Sequence, residues 1–265
     1  MSNSKNRVIL QPADLTVVAA EPSCLERAKE LAERLGATCA TEPPSLEEAP
    51  IHLRVDARGV TLSGGEMELR GDFSRLLPRL KPGKLQQELL VKAARIKGAG
   101  TWDVPPLAVD ATAGLGEDAL LLAAAGFRVI MFEYDPVIGA LLEDALRRAT
   151  VDPALADIAA RMELRLESSV DALPHLDEQP DVVLLDPMFP ERTKSASVKK
   201  KFQLLHHLEQ PCGDEEALLD AAIAAQPRKI VVKRPPKGPF LAGMKPAYQI
   251  SGKAVRYDCL AFARS

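Results

Sequence analysis

Leu107-Ala-Val-Asp-Ala-Thr-Ala-Gly-Leu-Gly-Glu-Asp118 constrains this chain more than any other stretch. A short apolar run ends in an acid, turns through small residues and two glycines, and enters an Ala/Leu-rich segment, the pattern of strand, tight loop and helix. Gly114 and Gly116 permit a positive φ and let a ligand approach the backbone, while the unpaired N–H groups of the new helix point at whatever occupies the crevice. The stretch is read as a nucleotide-cofactor loop. Spaced as Gly114, Gly116 and Ala119, it formally satisfies the dinucleotide fingerprint, but Asp110 before it and Glu117 and Asp118 at the helix start would repel a pyrophosphate. The same carboxylates suit a cationic, polyhydroxylated ligand such as S-adenosyl-L-methionine (SAM), whose amino group and ribose hydroxyls donate hydrogen bonds and whose sulfonium is positive.

From this loop onward strands and helices alternate, which implies a parallel sheet covered on both faces. Strands are expected at Leu107–Asp110, Arg128–Phe132, Met162–Leu166, Val182–Leu185, Lys229–Val232, Tyr248–Ile250 and Ala254–Phe262, with helices at Asp118–Ala125, Val137–Ala149, Pro153–Ala160 and Asp214–Ala225. Only Ser251-Gly252-Lys253 joins the last two strands, so they form an antiparallel hairpin. An α/β, Rossmann-like doubly wound sheet closed by a C-terminal antiparallel hairpin resembles the class I methyltransferase architecture more than a dehydrogenase with six parallel strands. Ahead of it, a strand at Leu15–Ala20, a helix at Cys24–Leu35 capped by Gly36, and strands at His52–Asp56, Val60–Ser63 and Glu66–Leu69 describe a small α/β domain. The domain boundary is placed between residues 78 and 79, giving 1–78 and 79–265; Lys81-Pro-Gly-Lys84 then opens a helix expected over Leu85–Ile96.

Composition narrows the function classes. A net charge of −3 over 265 residues excludes a chain that binds nucleic acid by its overall charge, so any basic surface must be local. Cys24, Cys39, Cys212 and Cys259 form no C-x-x-C pair and have no accompanying histidine cluster, so no metal site is expected and the thiols fit a reducing compartment. The N-terminus has no basic region followed by an apolar run, and no stretch of transmembrane length occurs, so a cytoplasmic protein without membrane association is expected.

The chemistry is concentrated after the strands. Glu133 follows the second strand of the sheet at the spacing from the glycine loop that suits an acid accepting from the ribose hydroxyls. Tyr134 beside it offers a face for adenine, and Ser168, Ser169 and Asp171 after the third strand offer polar contacts to the adenine edge, with a helix N-cap as the competing role for a serine. Asp186-Pro-Met-Phe-Pro190 directly follows the run Val182-Val-Leu-Leu185, at the end of a strand that faces the ligand crevice. Asp186 and the Pro187 carbonyl are acceptors and Phe189 is a stacking face, a set that suits the exocyclic amine of a nucleobase. Such an amine is a poor nucleophile until fixed acceptors bond its protons and favour the charge that develops during attack, so direct transfer of a methyl group needs alignment and no covalent enzyme intermediate. Beyond the loop, Lys194, Lys199, Lys200 and Lys201, with Lys233 and Arg234 after a later strand, form local basic clusters read as contacts to RNA phosphates.

Val109-Asp-Ala-Thr-Ala-Gly-Leu-Gly-Glu-Asp118, Asp186-Pro-Met-Phe-Pro190 with the following Lys-Ser-Ala-Ser-Val-Lys-Lys, and Val231-Val-Lys-Arg-Pro235 together resemble the RsmJ (YhiQ) family of bacterial small-subunit ribosomal RNA methyltransferases. The resemblance implies methyl transfer from SAM to N2 of a guanosine in 16S rRNA, with naked RNA or the 30S subunit as partner. It assigns the cofactor to Glu117, Asp118, Glu133, Tyr134, Ser168, Ser169 and Asp186. Two other classes share parts of the pattern. An NAD(P)-dependent oxidoreductase would use the glycine loop and ribose acid but leaves the Asp186 loop unexplained, and a non-catalytic RNA-binding protein would use the lysines but not the acidic pocket.

Overall fold

The structure, a computed structural model, describes residues 15–44, 51–64, 67–96, 104–187 and 214–262. These residues fall into two compact units, one holding the residues up to Gly71 together with the segment Asp135–Ala145, the other holding the rest.

In the first unit, β1 (Thr16–Ala19), α1 (Leu25–Leu35), β2 (Thr38–Ala40), β3 (Ile51–Asp56), β4 (Gly59–Gly64) and β5 (Met67–Leu69) build a five-stranded sheet in the order β2-β1-β3-β4-β5. β1 runs parallel to β2 and β3, and the last pairs are antiparallel. Alternation explains β3, which buries Ile51, Leu53 and Val55, and the helical stripe Ala28, Leu31, Ala32 and Leu35 explains α1. Gly36 ends that helix in the left-handed region at φ 64, its N–H donating to the Ala32 and Glu33 carbonyls. β2 was not expected, because Thr-Cys-Ala is too short to show a period. Asp144 is buried in this unit, where it accepts the Val60 N–H at 3.0 Å and pairs with Arg27.

The second unit contains α2 (Leu77–Leu80), α3 (Pro82–Leu85), α4 (Leu89–Ala94), β6 (Leu107–Asp110), α5 (Glu117–Ala124), β7 (Arg128–Phe132), the end of α6 (Pro136–Thr150), α7 (Ala156–Ala159), β8 (Met162–Arg165), α8 (Ser169–Ala172), β9 (Val182–Leu185), α9 (Glu215–Ala224), β10 (Lys229–Arg234), β11 (Tyr248–Ser251) and β12 (Arg256–Ala261). Its seven strands lie in the order β8-β7-β6-β9-β10-β12-β11, parallel up to β10, with β12 antiparallel to both neighbours. This is the class I methyltransferase arrangement: the chain reverses direction across the sheet between β6 and β9, opening a crevice at their carboxyl ends. Val109, Val183, Leu185, Ile230 and Val232 are buried with Leu218, Leu219 and Ala222 of α9, which accounts for the nearly continuous apolar runs of the central strands.

The helix expected over Leu85–Ile96 is instead two short helices. Glu88 between them has extended backbone (φ −59, ψ 130), and its carboxylate accepts two bonds from Arg79, both at 2.8 Å. The break has a packing reason: Leu85, Leu90 and Val91 are all buried, and no single helical face holds all three. Lys229 then caps the end of α4 by donating to the Ala93 and Arg95 carbonyls at 2.9 and 2.8 Å. The helix expected over Pro153–Ala160 is shorter, because Asp152 accepts the Ala154 N–H at 2.9 Å and makes a turn of its first residues.

A buried ion pair fastens the loop that follows β10. Arg256 donates to Asp258 from Nε at 2.9 Å and from Nη2 at 2.8 Å, and to the carbonyls of Pro236 and Gly238 at 3.0 and 3.1 Å, while Gln249 donates to Asp258 at 2.6 Å.

Candidate active site

The crevice is built where β6, β9 and β10 end side by side. After β6 the chain turns through Gly114 (φ 55) and Gly116 (φ 74) into α5, and both angles belong to the left-handed region that favours glycine. Nothing lies within 4 Å of where a Cβ on Gly114 would sit, so the loop presents open backbone to the crevice. Glu133, just past β7, accepts the Gly114 N–H at 2.9 Å. The glycine loop and the acid expected to bind ribose are thus joined directly.

Asp110 is almost fully buried and accepts the Thr112 N–H at 3.3 Å. Burial pushes its carboxyl up to about 8, with nearby Asp118 adding to the effect and the Thr112 bond opposing it. The consequence for stability has a definite sign. Folded Asp110 keeps its proton up to about pH 8, whereas the unfolded side chain releases it near pH ~4. Between those values the unfolded state binds fewer protons, so stability falls as pH rises through the window. Asp110→Asn is expected to flatten this fall, checked by melting temperatures from about pH 5 to about pH 9; an equal slope in both proteins would refute the assignment.

Asp186 follows β9. Its N–H donates to Thr112 Oγ1 at 2.7 Å, which ties the Asp-Pro loop to the glycine loop across two adjacent strands. Its carboxylate Oδ2 lies 2.8 Å from Lys233 Nζ, and the same ammonium lies 2.6 Å from Oδ2 of Asp118 in the first turn of α5. Burial raises the Asp186 pKa, Lys233 opposes that rise, and Asp118 reinforces it. For Lys233, burial works against the charge, but Asp118 and Asp186 outweigh it and hold the ammonium above its ordinary range. Tyr257 of β12 stands opposite Lys233 in the strand register and is buried; burial first, then Asp118, suppresses ionisation of its phenol.

Other expected residues are placed differently from one another. Ser168 caps α8 by accepting the Asp171 N–H at 3.4 Å, and Ser169 is buried in the first turn. Tyr134 is 78% exposed at the end of β7, with its ring open to solvent. Pro187 is buried, whereas Phe189, Lys194, Lys199, Lys200 and Lys201 lie outside the described residues. Two of the expected phosphate contacts are corrected. Arg234 is 1% exposed and pairs with Glu215 at 3.2 Å, so it belongs to the interior rather than to an RNA-facing surface. Lys233 is held by two carboxylates in the crevice, where a phosphate would have to displace both. Among the described residues, no group of three or more His, Cys, Asp or Glu side chains is arranged to hold a metal, and no helix is long and apolar enough to cross a membrane.

Carboxylates at the rim and an open glycine backbone fit a cationic nucleoside and not a pyrophosphate. Comparison with known proteins agrees. Residues 47–261 match a family model described as SAM-dependent methyltransferase. The ribosomal RNA small subunit methyltransferase J of Pseudomonas aeruginosa PAO1 is 41% identical over 251 residues, covering 92% of this chain and 93% of that protein. This chain belongs to the RsmJ family. The Nitrosococcus oceani member is 42% identical over 240 residues, covering 88% of this chain and 93% of that protein. A crystal structure of a SAM-dependent methyltransferase from Neisseria gonorrhoeae superposes with a TM-score of 0.73 at 30% identity, covering 93% of this chain and 95% of that one.

As a member of the RsmJ family the protein is a SAM-dependent methyltransferase, and SAM is its cofactor; the oxidoreductase and the non-catalytic binder are not favoured. Two residues of this RsmJ-family crevice escaped the sequence reading. Thr112 lies inside the quoted motif, yet its bond to the Asp186 backbone spans two strands. Tyr257 enters only through the register of β12 against β10.

Proposed function

We propose that this protein methylates the exocyclic N2 amine of a guanosine in 16S small-subunit ribosomal RNA. The observation that carries the reading is the position of Asp186: it ends a central strand, its backbone is bonded to the glycine loop, and its carboxylate is partly exposed in the crevice. Asp186 and the Pro187 carbonyl would accept the two amine protons, drawing the nitrogen lone pair out of the ring and stabilising the positive charge that grows on nitrogen as it takes the methyl group. Phe189 would stack on the base. In this reading Glu133 holds the ribose, Gly114, Gly116, Glu117 and Asp118 line the polar part of the cofactor site, the buried Asp110 acts only by supporting the loop through the Thr112 N–H, and Tyr134, Ser168 and Ser169 flank the adenine; the bound cofactor supplies an electrophilic methyl. The rRNA substrate is supported by the names of the similar proteins.

Lys194, Lys199, Lys200 and Lys201 remain the proposed phosphate contacts, joined by the exposed Lys81 and Lys84. Lys84 also lines a cavity of 350 Å³ together with Pro78, Arg79, Gln87, Glu88 and Leu89. Catalysis is assigned to residues 79–265, residues 1–78 are assigned to gripping RNA, and an rRNA substrate agrees with a cytoplasmic location.

Incubation with methyl-labelled SAM and either deproteinised small-subunit rRNA or 30S particles, followed by digestion to nucleosides, tests the reading. Label is expected in N2-methylguanosine. Label on a ribose or a ring carbon would remove the amine assignment, and unlabelled RNA in both reactions would remove the substrate.

A further inference from the structure

We infer that Lys233 is a positioning residue for methyl transfer: it bridges the first turn of the cofactor helix, at Asp118, to the amine-accepting Asp186. The inference rests on the reading of Asp186 given above. The geometry is specific. A lysine at the end of β10 reaches past β9 to the start of α5, and its single ammonium sits 2.6 and 2.8 Å from one oxygen of each carboxylate. Asp118 and Asp186 converge on this part of the crevice beside the protonated Asp110, and the repulsion between these two carboxylates would otherwise favour protonation of one or push the side chains apart. An exposed lysine waiting for a phosphate would have neither partner.

The bridge does two things to Asp186. It opposes the burial that raises the carboxyl's pKa, favouring the ionised form that an acceptor for an amine requires, and it occupies Oδ2 while Oδ1 has no partner among the described residues. Sharing the ammonium with Asp118 makes the acceptor sensitive to the cofactor helix: whatever changes the charge at Asp118 changes the share of Lys233 that Asp186 receives. The other groups that act on the pair are Tyr257 from β12, which faces Lys233, Arg234 from β10, which lowers the Asp186 pKa, and Asp110 from β6. Arg79 of α2 reaches the cluster through Tyr257.

The test uses the full-length protein and the variants Lys233→Met, Lys233→Arg and Asp118→Asn. Two titrations are followed: the Asp186 carboxyl carbon by carbon-13 NMR without cofactor, and the acid limb of kcat at saturating SAM and RNA. Lys233→Met is expected to move both midpoints up by about one pH unit, Lys233→Arg to restore them, and Asp118→Asn to move them down, because it removes a like charge and leaves the lysine to Asp186 alone. The salt dependence of RNA affinity is expected to stay unchanged in Lys233→Met. An unmoved NMR midpoint, or a shift in the same direction for Lys233→Met and Asp118→Asn, would overturn the bridge. So would a fall of about one in the salt slope, which would identify Lys233 as a phosphate ligand. If the NMR midpoint moves and the kcat limb does not, the bridge stands and the acceptor role of Asp186 falls. Should Lys233→Met not fold, Lys233→Arg and Asp118→Asn decide the question by the same signs.

Discussion

Asp186→Ala is expected to lower kcat by roughly a thousandfold while the protein stays folded. The loss is large because the acceptor works mainly in the transition state. In the ground state the amine nitrogen is nearly planar and shares its lone pair with the ring; as it attacks, it becomes pyramidal and positive, and a fixed carboxylate gains most of its interaction energy then. KM for SAM should change little by comparison. The fold should survive because the side chain is 38% exposed, Lys233 keeps Asp118 as a partner, and the backbone bond to Thr112 needs no carboxylate. Asp186→Asn is expected to fall between the two, since an amide offers a neutral acceptor in place of an anion. Single-turnover transfer of labelled methyl, with a thermal melt of each variant, measures this. Normal turnover in a folded Asp186→Ala protein would end the acceptor assignment.

Asp258→Ala is expected to cost about 3 kcal/mol of stability, the low end of the range for breaking a buried pair. Removing the carboxylate strands the Arg256 guanidinium inside the sheet and takes the partner from the Gln249 amide, although the Pro236 and Gly238 carbonyls still accept from Arg256. Replacing both members, Arg256→Met with Asp258→Leu, should recover most of the loss, because no uncompensated charge is then buried. Urea denaturation of the single and double variants checks both statements. A loss below about 1 kcal/mol for Asp258→Ala would mean that water reaches the pair. The position has a functional side as well: the loop from Pro235 to Gly238 follows β10 directly after Lys233 and Arg234, so a loosened Arg256 should impair transfer more than its distance from Asp186 suggests.

The parts of the candidate site that the sequence brought together are those whose spacing is local or set by one α/β unit. Gly114, Gly116 and Asp110 lie within a few residues of one another, and Glu133 stands one strand-helix-strand unit further on, a spacing that the geometry of α/β units imposes. The joining of Glu133 to Gly114 in the structure follows from that spacing. Boundaries were less legible where packing overrode periodicity. Leu85, Leu89, Val91, Ala93 and Ile96 read as one imperfect helix, and only the need to bury Leu85, Leu90 and Val91 together explains the break at Glu88.

Lys233 and Arg234 mark the limit most sharply. In sequence they are adjacent cations after an apolar run, and such residues are usually solvated. In the sheet they point opposite ways, one toward two carboxylates and the other toward Glu215, because successive side chains of a strand alternate between its faces. Asp118 is 115 positions from Lys233 and no spacing rule links them. By itself, then, the sequence determined the alternation of strands and helices, the acidic glycine loop and the terminal hairpin, all of which are written in patterns a few residues long. The order β6-β9-β10-β12 was decided only by tertiary packing, and with it which acid meets which base, because electrostatic partnership depends on distance in space and a chain carries no local record of it.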